Sequence, residues 1–257
     1  MIFWTRDARE RMIQIIVEIG LNHLGSEERA WRMLECTAMP AVDAVTFQIR
    51  EQKFYENPDQ VRHRLSGEFY RDALAAIHAR GQRCGIAIAD EFSVGQFHSL
   101  GIDFWKTLSW DFKNSSLNRA LQATGRPVLM STGLSSMDEI VEVSAKGGNI
   151  VLIHTQLSQK IEDVNLKAIV EIRKQTGLPV AFGLHCACHD VLKVALGFEP
   201  YALLFYLKED GCSRYFDDEH AIPMSELKPL TNLLKSLAPS LGSGSKSSAE
   251  KPSWVVH

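Results

Sequence analysis

The sequence has little of what membrane, secreted or nucleic-acid-binding proteins require. No apolar run approaches the ~20 residues of a membrane-spanning helix, and no signal-peptide core follows the charged first residues. With 28 Lys and Arg against 31 Asp and Glu, the net charge of -3 provides no basic field for a nucleic acid. The five cysteines are odd in number and without repeated spacing, which argues against a secreted disulfide framework. We therefore expect a cytoplasmic protein with reduced thiols that acts on a small molecule.

The sequence also lacks a G-x-G-x-x-G phosphate fingerprint after its first predicted strand, which argues against an open doubly wound sheet. It contains instead eight short apolar segments that alternate with eight helical patterns. This alternation predicts an α/β fold, a (β/α)8 TIM barrel in a single domain over residues 13–238. We expect residues 1–12 to be an N-terminal extension and the Ser- and Gly-rich residues 239–257 to be a flexible tail.

The first predicted strand ends in the most distinctive stretch of the chain. An apolar run from Gln14 to Val17 is followed by Glu18, and Asn22 and His23 come shortly afterwards between two glycines. Such a run is typical of a strand buried on both faces, and the glycines let the backbone turn sharply after it. A carboxylate, an amide and an imidazole in this position indicate a functional site. The alternative is a structural carboxylate that accepts a backbone hydrogen bond.

Polar side chains also follow most of the other predicted strands at their carboxyl ends. In a parallel barrel these ends meet on one face, which is where the active sites of such barrels lie. So many titratable groups exceed what a structural core requires, and we therefore expect a catalytic or ligand site on this face. The residues concerned are Gln48, Lys106, Ser109, Asp111, Ser131, Thr132, His154, Gln156 and His185.

Several of these side chains allow more than one interpretation. Lys106 is a cation for an anionic substrate, a Schiff-base amine if it is desolvated, or a side chain that reaches solvent. His154 is either a core histidine or a ligand. Ser131 and Thr132 form either an anion cradle before a helix or an ordinary turn. His220 follows three acidic residues, so it is either a metal ligand or part of an acidic surface loop.

Six segments of the chain resemble motifs of the sialic acid synthase family, and together they span about residues 13–235. The segments are residues 18–25, similar to E-I-G-x-N-H-x-G, 43–48, similar to A-D-A-V-K-F-Q, 106–111, similar to K-I-A-S-G-E, 131–135, similar to S-T-G-M-S, 162–166, similar to E-D-V-N-L, and 218–221, similar to P-D-H-A. The resemblance implies a (β/α)8 barrel that joins phosphoenolpyruvate to an open-chain N-acylated amino sugar. It also implies a divalent metal such as manganese, and a homodimer.

The resemblance further implies roles for individual residues. Glu18 would serve the reacting sugar or intermediate, and Lys106 with Ser109 would hold phosphoenolpyruvate. Asp111, which stands where the family has Glu, would contact the sugar. We accordingly expect Glu18, Lys106 and Asp111 to be catalytic and His220 to bind the metal. The residues expected to bind substrate are Asn22, His23, Gln48, Ser109, Ser131, Thr132, His154, Gln156 and His185.

The chain departs from the family pattern at positions that carry phosphate and metal contacts. Thr46 replaces a lysine, Leu184 stands where the family has Asp, and Tyr206 stands where it has a second metal histidine. The residues after 238 do not resemble the antifreeze-like domain of the family. We therefore expect a divergent enzyme that forms or breaks a C–C bond between phosphoenolpyruvate, or a related enol or keto donor, and a sugar-derived aldehyde. The alternatives are a metal-free Schiff-base aldolase using Lys106 and a non-catalytic barrel that binds a sugar or a partner.

Overall fold

The strands close into one parallel barrel in the computed structural model, which describes residues 13–211 and 214–242. Strands that are consecutive in the chain pair with each other, and the first also pairs with the eighth, which closes the barrel. This confirms the (β/α)8 fold expected from the sequence. The strands are β1 (Gln14–Gly20), β2 (Ala44–Ile49), β3 (Arg83–Ile88), β4 (Phe104–Thr107), β5 (Val128–Ser131), β6 (Ile150–His154), β7 (Val180–Gly183), β8 (Ala202–Lys208) and the short β9 (Ile222–Pro223).

β1 and β8 form the seam at which the barrel closes. Five aligned pairs run from Gln14 opposite Ala202 to Glu18 opposite Tyr206. Both strands are apolar and almost entirely buried, as expected where helices cover a parallel sheet. The register therefore brings Glu18 and Tyr206 to the same place at the carboxyl end of the barrel.

Helices cover the outside of the barrel and begin at polar caps. Ser26, Ser66 and Asn114 each accept a hydrogen bond from the backbone N–H three residues further on. Ser136 and Glu139 form the capping box that their spacing predicts. The helices are α1 (Glu27–Cys36), α2 (Gln52–Glu56), α3 (Gly67–Ala79), α4 (Val94–Ser99), α5 (Ser115–Ala123), α6 (Met137–Ser144), α7 (Ala168–Thr176), α8 (Val191–Leu196) and α9 (Met224–Leu237).

Three segments differ from what their sequence predicts, which is a loop over residues 49–66, a helix over residues 164–175 and a first helical turn at Pro223. Residues 49–66, expected to be a loop, contain the short helix α2. The helix expected from Val164 begins only at Ala168, because Asn165 has a left-handed backbone with φ of 48° that interrupts helical geometry. Pro223 has an extended backbone and lies in β9, so it precedes α9 instead of forming its first turn.

Side chains fill the inside of the barrel. Ile16, Phe104, Leu129 and Val151 are buried there with exposures of 0 to 3%. Gly85 makes room for this packing, since a Cβ at its position would lie 2.3 Å from Cε2 of Phe104. The filled interior forms the floor beneath the polar residues at the carboxyl ends of the strands.

Within residues 13–211 and 214–242, no helix combines the length and apolar character needed to cross a membrane. Cys36, Cys84, Cys186 and Cys188 carry free thiols there, and Cys212 lies outside the described residues. The expected N-terminal extension also lies outside them, as does the expected tail from residue 243 onward.

Candidate active site

A cavity of about 200 Å³ opens at the carboxyl ends of the strands. The expected site residues that line it are Gln48, Lys106, Ser109, Ser131 and His185. The strands position them, because each stands within two residues of the last residue of a strand.

A larger cavity of about 560 Å³ lies at the opposite end of the barrel, between Met39 and Arg83. None of the expected site residues lines it. Its carboxylate, Asp43, is held by Lys235 at 2.6 Å and by the Ile15 N–H at 2.7 Å, which is a structural arrangement. We therefore place the candidate active site at the carboxyl end, although the cavity there is smaller.

Glu18 and Lys106 form a buried ion pair at the base of this cavity. Lys106 lines the cavity, and both residues line a pocket of about 20 Å³ that adjoins it. The Lys106 Nζ lies 2.8 Å from Oε2 of Glu18, and the two residues are 6% and 1% exposed. The second oxygen of the carboxylate, Oε1, is buried and accepts no hydrogen bond from the described residues. A desolvated carboxylate oxygen without a partner is costly unless a ligand supplies one. Glu18 is therefore arranged to receive a hydrogen bond or a proton from a bound substrate.

Aromatic rings pack beside this ion pair, and those of His185 and Tyr206 line the cavity. The rings of His185 and His220 lie 4.5 Å apart, and Tyr206 lies 5.6 Å from the first and 5.2 Å from the second. The Lys106 ammonium is 5.8 Å from the centre of the Tyr206 ring, a cation–π contact. Gly20 permits this packing, since it has φ of 58° and a Cβ there would lie 2.9 Å from Cε1 of Tyr206.

Burial keeps the two imidazoles neutral. Desolvation, reinforced by the charges of His220 and Lys106, lowers the pKa of His185 to about 3. Desolvation likewise lowers the pKa of His220 to about 4, with smaller contributions from His189 and Lys208. His220 is buried, so it does not belong to an acidic surface loop.

Asp217 brings a second carboxyl group to the same cavity. Burial, followed by the charge of Glu18, raises the pKa of Asp217 to about 7, and Lys106 acts in the opposite sense. Its Oδ1 lies 3.7 Å from Nε2 of His220. Near neutral pH this side chain can therefore hold or release a proton.

Two of the residues expected to bind substrate make hydrogen bonds to the backbone near the cavity. Asn22 donates from Nδ2 to the Leu207 carbonyl at 2.8 Å and accepts the Asp217 N–H at 3.3 Å. His23 is fully buried, and its Nδ1 accepts the Gly25 N–H at 3.0 Å. Burial lowers the pKa of His23 to about 4, which keeps it neutral. Nε2 of His23 has no hydrogen-bond partner among the described residues, and the expected contact of these two side chains with substrate stays a prediction.

Thr132 and His154 are also used by the fold. The Thr132 hydroxyl donates to the Ile153 carbonyl at 3.0 Å, and Nε2 of His154 lies 2.9 Å from the Val164 carbonyl. Both side chains are buried, with 4% and 3% exposure. Of the two interpretations of His154, the structure therefore favours the core histidine. Gln156 is half-buried and is not among the residues that line the cavity.

Asp111 stands at the edge of the cavity rather than inside it. It follows Trp110, which lines the cavity, and its Oδ1 accepts a hydrogen bond from Asn114 at 3.3 Å. Burial raises the pKa of Asp111, and the Asn114 hydrogen bond opposes that shift. Its Oδ2 has no hydrogen-bond partner among the described residues. This position suits a contact with the outer part of a ligand better than with the atoms that react.

The sequence analysis missed Arg50, Trp110 and Phe216, which all line the cavity. Arg50 comes just after β2, within the charged segment expected to be a loop. Trp110 lies between Ser109 and Asp111, and its exposed fraction of 52% is high for a tryptophan. A useful signal would have been an arginine placed directly after a predicted strand end.

The metal expected at His220 has an incomplete set of ligands. Within the described ranges, no group of three or more His, Cys, Asp or Glu side chains is arranged to hold a metal ion. Tyr206 fills the neighbouring position with a phenol whose pKa is raised by burial and then by Glu18. These residues do not fit a resident divalent metal.

The sequence was compared with family models and with known proteins. The model described as the NeuB family matches residues 29–246, which is most of the chain. The chain belongs to the NeuB family. This membership agrees with the resemblance seen in its motifs and with the position of Glu18 and Lys106 in one cavity.

Relatives of this chain include proteins named N-acetylneuraminate-9-phosphate synthase, N,N'-diacetyllegionaminic acid synthase and pseudaminic acid synthase. The chain is 25% identical to N-acetylneuraminate-9-phosphate synthase of Mus musculus, over 90% of this chain and 72% of the relative. It is 23% identical to N,N'-diacetyllegionaminic acid synthase of Campylobacter jejuni, over 92% of this chain and 79% of the relative. Among solved structures, an N-acetylneuraminic acid synthetase from Leptospira borgpetersenii matches with a TM-score of 0.86 and 22% identity. That match covers 93% of this chain and 88% of the other, and it supports the fold.

Proposed function

We propose that this protein is a cytoplasmic enzyme of carbohydrate biosynthesis that forms a C–C bond between an enol or keto-acid donor, such as phosphoenolpyruvate, and a sugar-derived aldehyde. The observation that carries the proposal is the buried Glu18–Lys106 pair, with one carboxylate oxygen free, at the base of a cavity. NeuB family membership and the names of the relatives support the same reaction type.

The reaction with phosphoenolpyruvate balances with water as the third reactant. The methylene carbon of the donor attacks the aldehyde carbon, and the aldehyde oxygen takes a proton and becomes a hydroxyl. Water adds to the carbon that carries the phosphate ester, and inorganic phosphate leaves. Lys106 supplies positive charge beside the anionic donor, and Oε1 of Glu18 accepts a proton from the water or a substrate hydroxyl.

The ion pair favours this role for Lys106 over Schiff-base chemistry. A Schiff base needs a neutral amine, whereas the carboxylate 2.8 Å away stabilises the ammonium form. Treatment with borohydride in the presence of pyruvate distinguishes the two roles. Covalent labelling of Lys106 would show that the Schiff-base aldolase is the correct assignment.

The direct test supplies phosphoenolpyruvate with a panel of N-acetylated hexosamines, with and without a 6-phosphate. Phosphate release and the mass of the sugar acid product are measured together. We expect Glu18→Gln to abolish both, since it removes the proton acceptor while keeping the shape of the side chain. The matched control is Glu142→Gln, because Glu142 is 75% exposed on α6. Turnover that survives Glu18→Gln, or no product with any acceptor, would refute the assignment and favour the non-catalytic barrel.

The homodimer expected from the family resemblance is part of the same proposal. Sedimentation of the full chain at several concentrations measures the mass directly. A monomer at every concentration that supports turnover would show that a single barrel is sufficient.

A further inference from the structure

Arg50 is a cation in the cavity that none of the motifs assigns. It is the first residue after β2, and it lines the cavity together with Lys106. Its side chain is 20% exposed, so its guanidinium is largely removed from bulk water and yet reachable.

Three neighbouring side chains hold the guanidinium of Arg50 in place. Its central carbon lies 4.4 Å from the ring centre of Phe54 and 5.1 Å from that of Trp110. Glu51 accepts one hydrogen bond from Nε and one from Nη2, each 3.0 Å long. A guanidinium fixed by stacking and by a bidentate carboxylate loses little further freedom when it binds a ligand.

The bidentate pair with Glu51 uses one edge of the guanidinium and leaves another available. Arginine has five N–H donors, and Glu51 engages one on Nε and one on Nη2. Among the described residues, Nη1 of Arg50 donates no hydrogen bond. The N–H groups that Nη1 and Nη2 keep form a second fork, which matches two oxygens of a carboxylate or a phosphate.

The charges that line the cavity indicate which kind of ligand binds this second fork. Among the described residues that line the cavity, the other Lys or Arg is Lys106, which is already paired with Glu18. An anionic donor therefore needs a further cation. We propose that Arg50 binds an oxyanion of the substrate, a carboxylate or a phosphate, through its free Nη1–Nη2 edge. The role of this contact in turnover rests on the proposed condensation, but the binding itself does not.

The test measures binding without turnover, by titration calorimetry with phosphoenolpyruvate, pyruvate and inorganic phosphate as separate probes. We expect Arg50→Met to raise the Kd of its oxyanion by about tenfold or more, because a charge-assisted fork is lost. The control is Arg64→Met, since Arg64 lies in the same segment, stacks on Tyr55 and does not line the cavity. A loss shared by phosphoenolpyruvate and pyruvate assigns the carboxylate, and a loss shared by phosphoenolpyruvate and phosphate assigns the phosphate.

Two further variants keep the test decisive if Arg50→Met is unstable. Arg50→Lys retains the charge and the stem but loses the fork, so it should bind more weakly than the native chain and better than Arg50→Met. Glu51→Gln removes the competing carboxylate and should tighten binding by about twofold to fivefold. The proposal is overturned if a folded Arg50 variant keeps the native Kd, or if the native chain binds none of the three probes at about 10 mM, where typical substrate affinities would be saturated.

Discussion

The two sides of the cavity differ in how their buried polar groups are accommodated. On one side, Glu18 of β1 and Lys106 of β4 form an ion pair at 2.8 Å. On the β7–β8 side, His185, His220 and Tyr206 are uncharged and pack ring against ring. Asp217 lies at their junction, with a pKa near neutral.

The difference shows which side can respond to a ligand. A paired charge is stable only while both members are present, whereas a neutral aromatic wall tolerates the exchange of one member. We therefore expect chemistry to depend most on the charged side. The aromatic side should govern pH dependence and the kind of ion or group that the cavity accepts.

The largest effect is expected from breaking the charged side. Glu18→Gln should lower the free energy of unfolding by about 3 kcal/mol, because it leaves Lys106 buried without its counter-charge. The double variant Glu18→Leu, Lys106→Met should recover most of that loss. Urea unfolding measures both. In the exposed pair Glu142–Lys146, Glu142→Gln is the control and should cost much less. Equal costs at the two sites would mean that Glu18 and Lys106 are not a buried pair in solution.

The next largest effect is expected in the pH dependence of stability, through the uncharged imidazoles of His185 and His220. The pKa values of His185 and His220, about 3 and 4, lie below the usual 6.5, so the folded state binds fewer protons than the unfolded chain. Their contribution to stability is complete above pH 6.5 and is lost as pH falls towards 4. We expect this loss to be about 2–3 kcal/mol, since His185 is only partly buried.

Unfolding midpoints at pH 7.5, 5.5 and 4.5 measure this slope for the native chain and for His220→Gln. The variant should show a shallower decline. His78→Gln is the control, because His78 has a side-chain exposure of 42% and lies outside the cavity. An unchanged slope in His220→Gln would show that this imidazole is not held neutral by burial.

A smaller effect on stability is expected from changing Asp217, which lies between the two sides. The pKa of Asp217, about 7, is above its usual value of 3.8, so the folded state binds more protons than the unfolded chain between these pH values. The resulting loss of stability is complete above pH 7 and disappears as pH falls to 3.8. Asp217→Asn should therefore stabilise the protein at pH 8 by about 1–2 kcal/mol, and not at pH 4. This stabilisation is smaller than the full pKa shift would give, because the Asp217 side chain is 17% exposed. Stabilisation of equal size at both pH values would contradict a raised pKa.

The smallest effect is expected from altering the aromatic wall. Tyr206→His would place a third imidazole beside His185 and His220, and we expect it to bind Mn²⁺ or Zn²⁺ about tenfold more tightly than the native chain. Equilibrium dialysis measures this without an activity assay. Tyr206→Phe keeps the ring and adds no ligand, so it should behave as the native chain does. Tight stoichiometric binding by the native chain would show that its own residues complete a metal site.

The sequence was sufficient to predict the barrel and the placement of Glu18 and Lys106 on the same face of it. Alternating apolar segments indicate strands, and parallel strands must bring Glu18 and Lys106 to the same end. The roles of Asn22 and His154 could not be predicted in this way. Their partners are carbonyl groups of Leu207 and Val164, and no residue type reveals which carbonyl a folded chain leaves without a donor.

Arg50 was missed for a related reason. Its place in the cavity depends on Phe54 and Trp110, which reach it from different loops. In the sequence it stands in a charged segment that is typical of a solvated surface. Stacking across loops has no spacing rule comparable to the period of a strand or a helix.

The contacts of Asn22 have a consequence for the biosynthesis of the protein. Its amide joins the loop after the first strand to Leu207 and Asp217, which a ribosome adds much later. Earlier segments can form helices and strand pairs during translation, but the partner strand of β1 is still missing. Formation of the cavity is therefore one of the last events in folding, and a nascent chain acquires a binding site only after its eighth strand has left the ribosome.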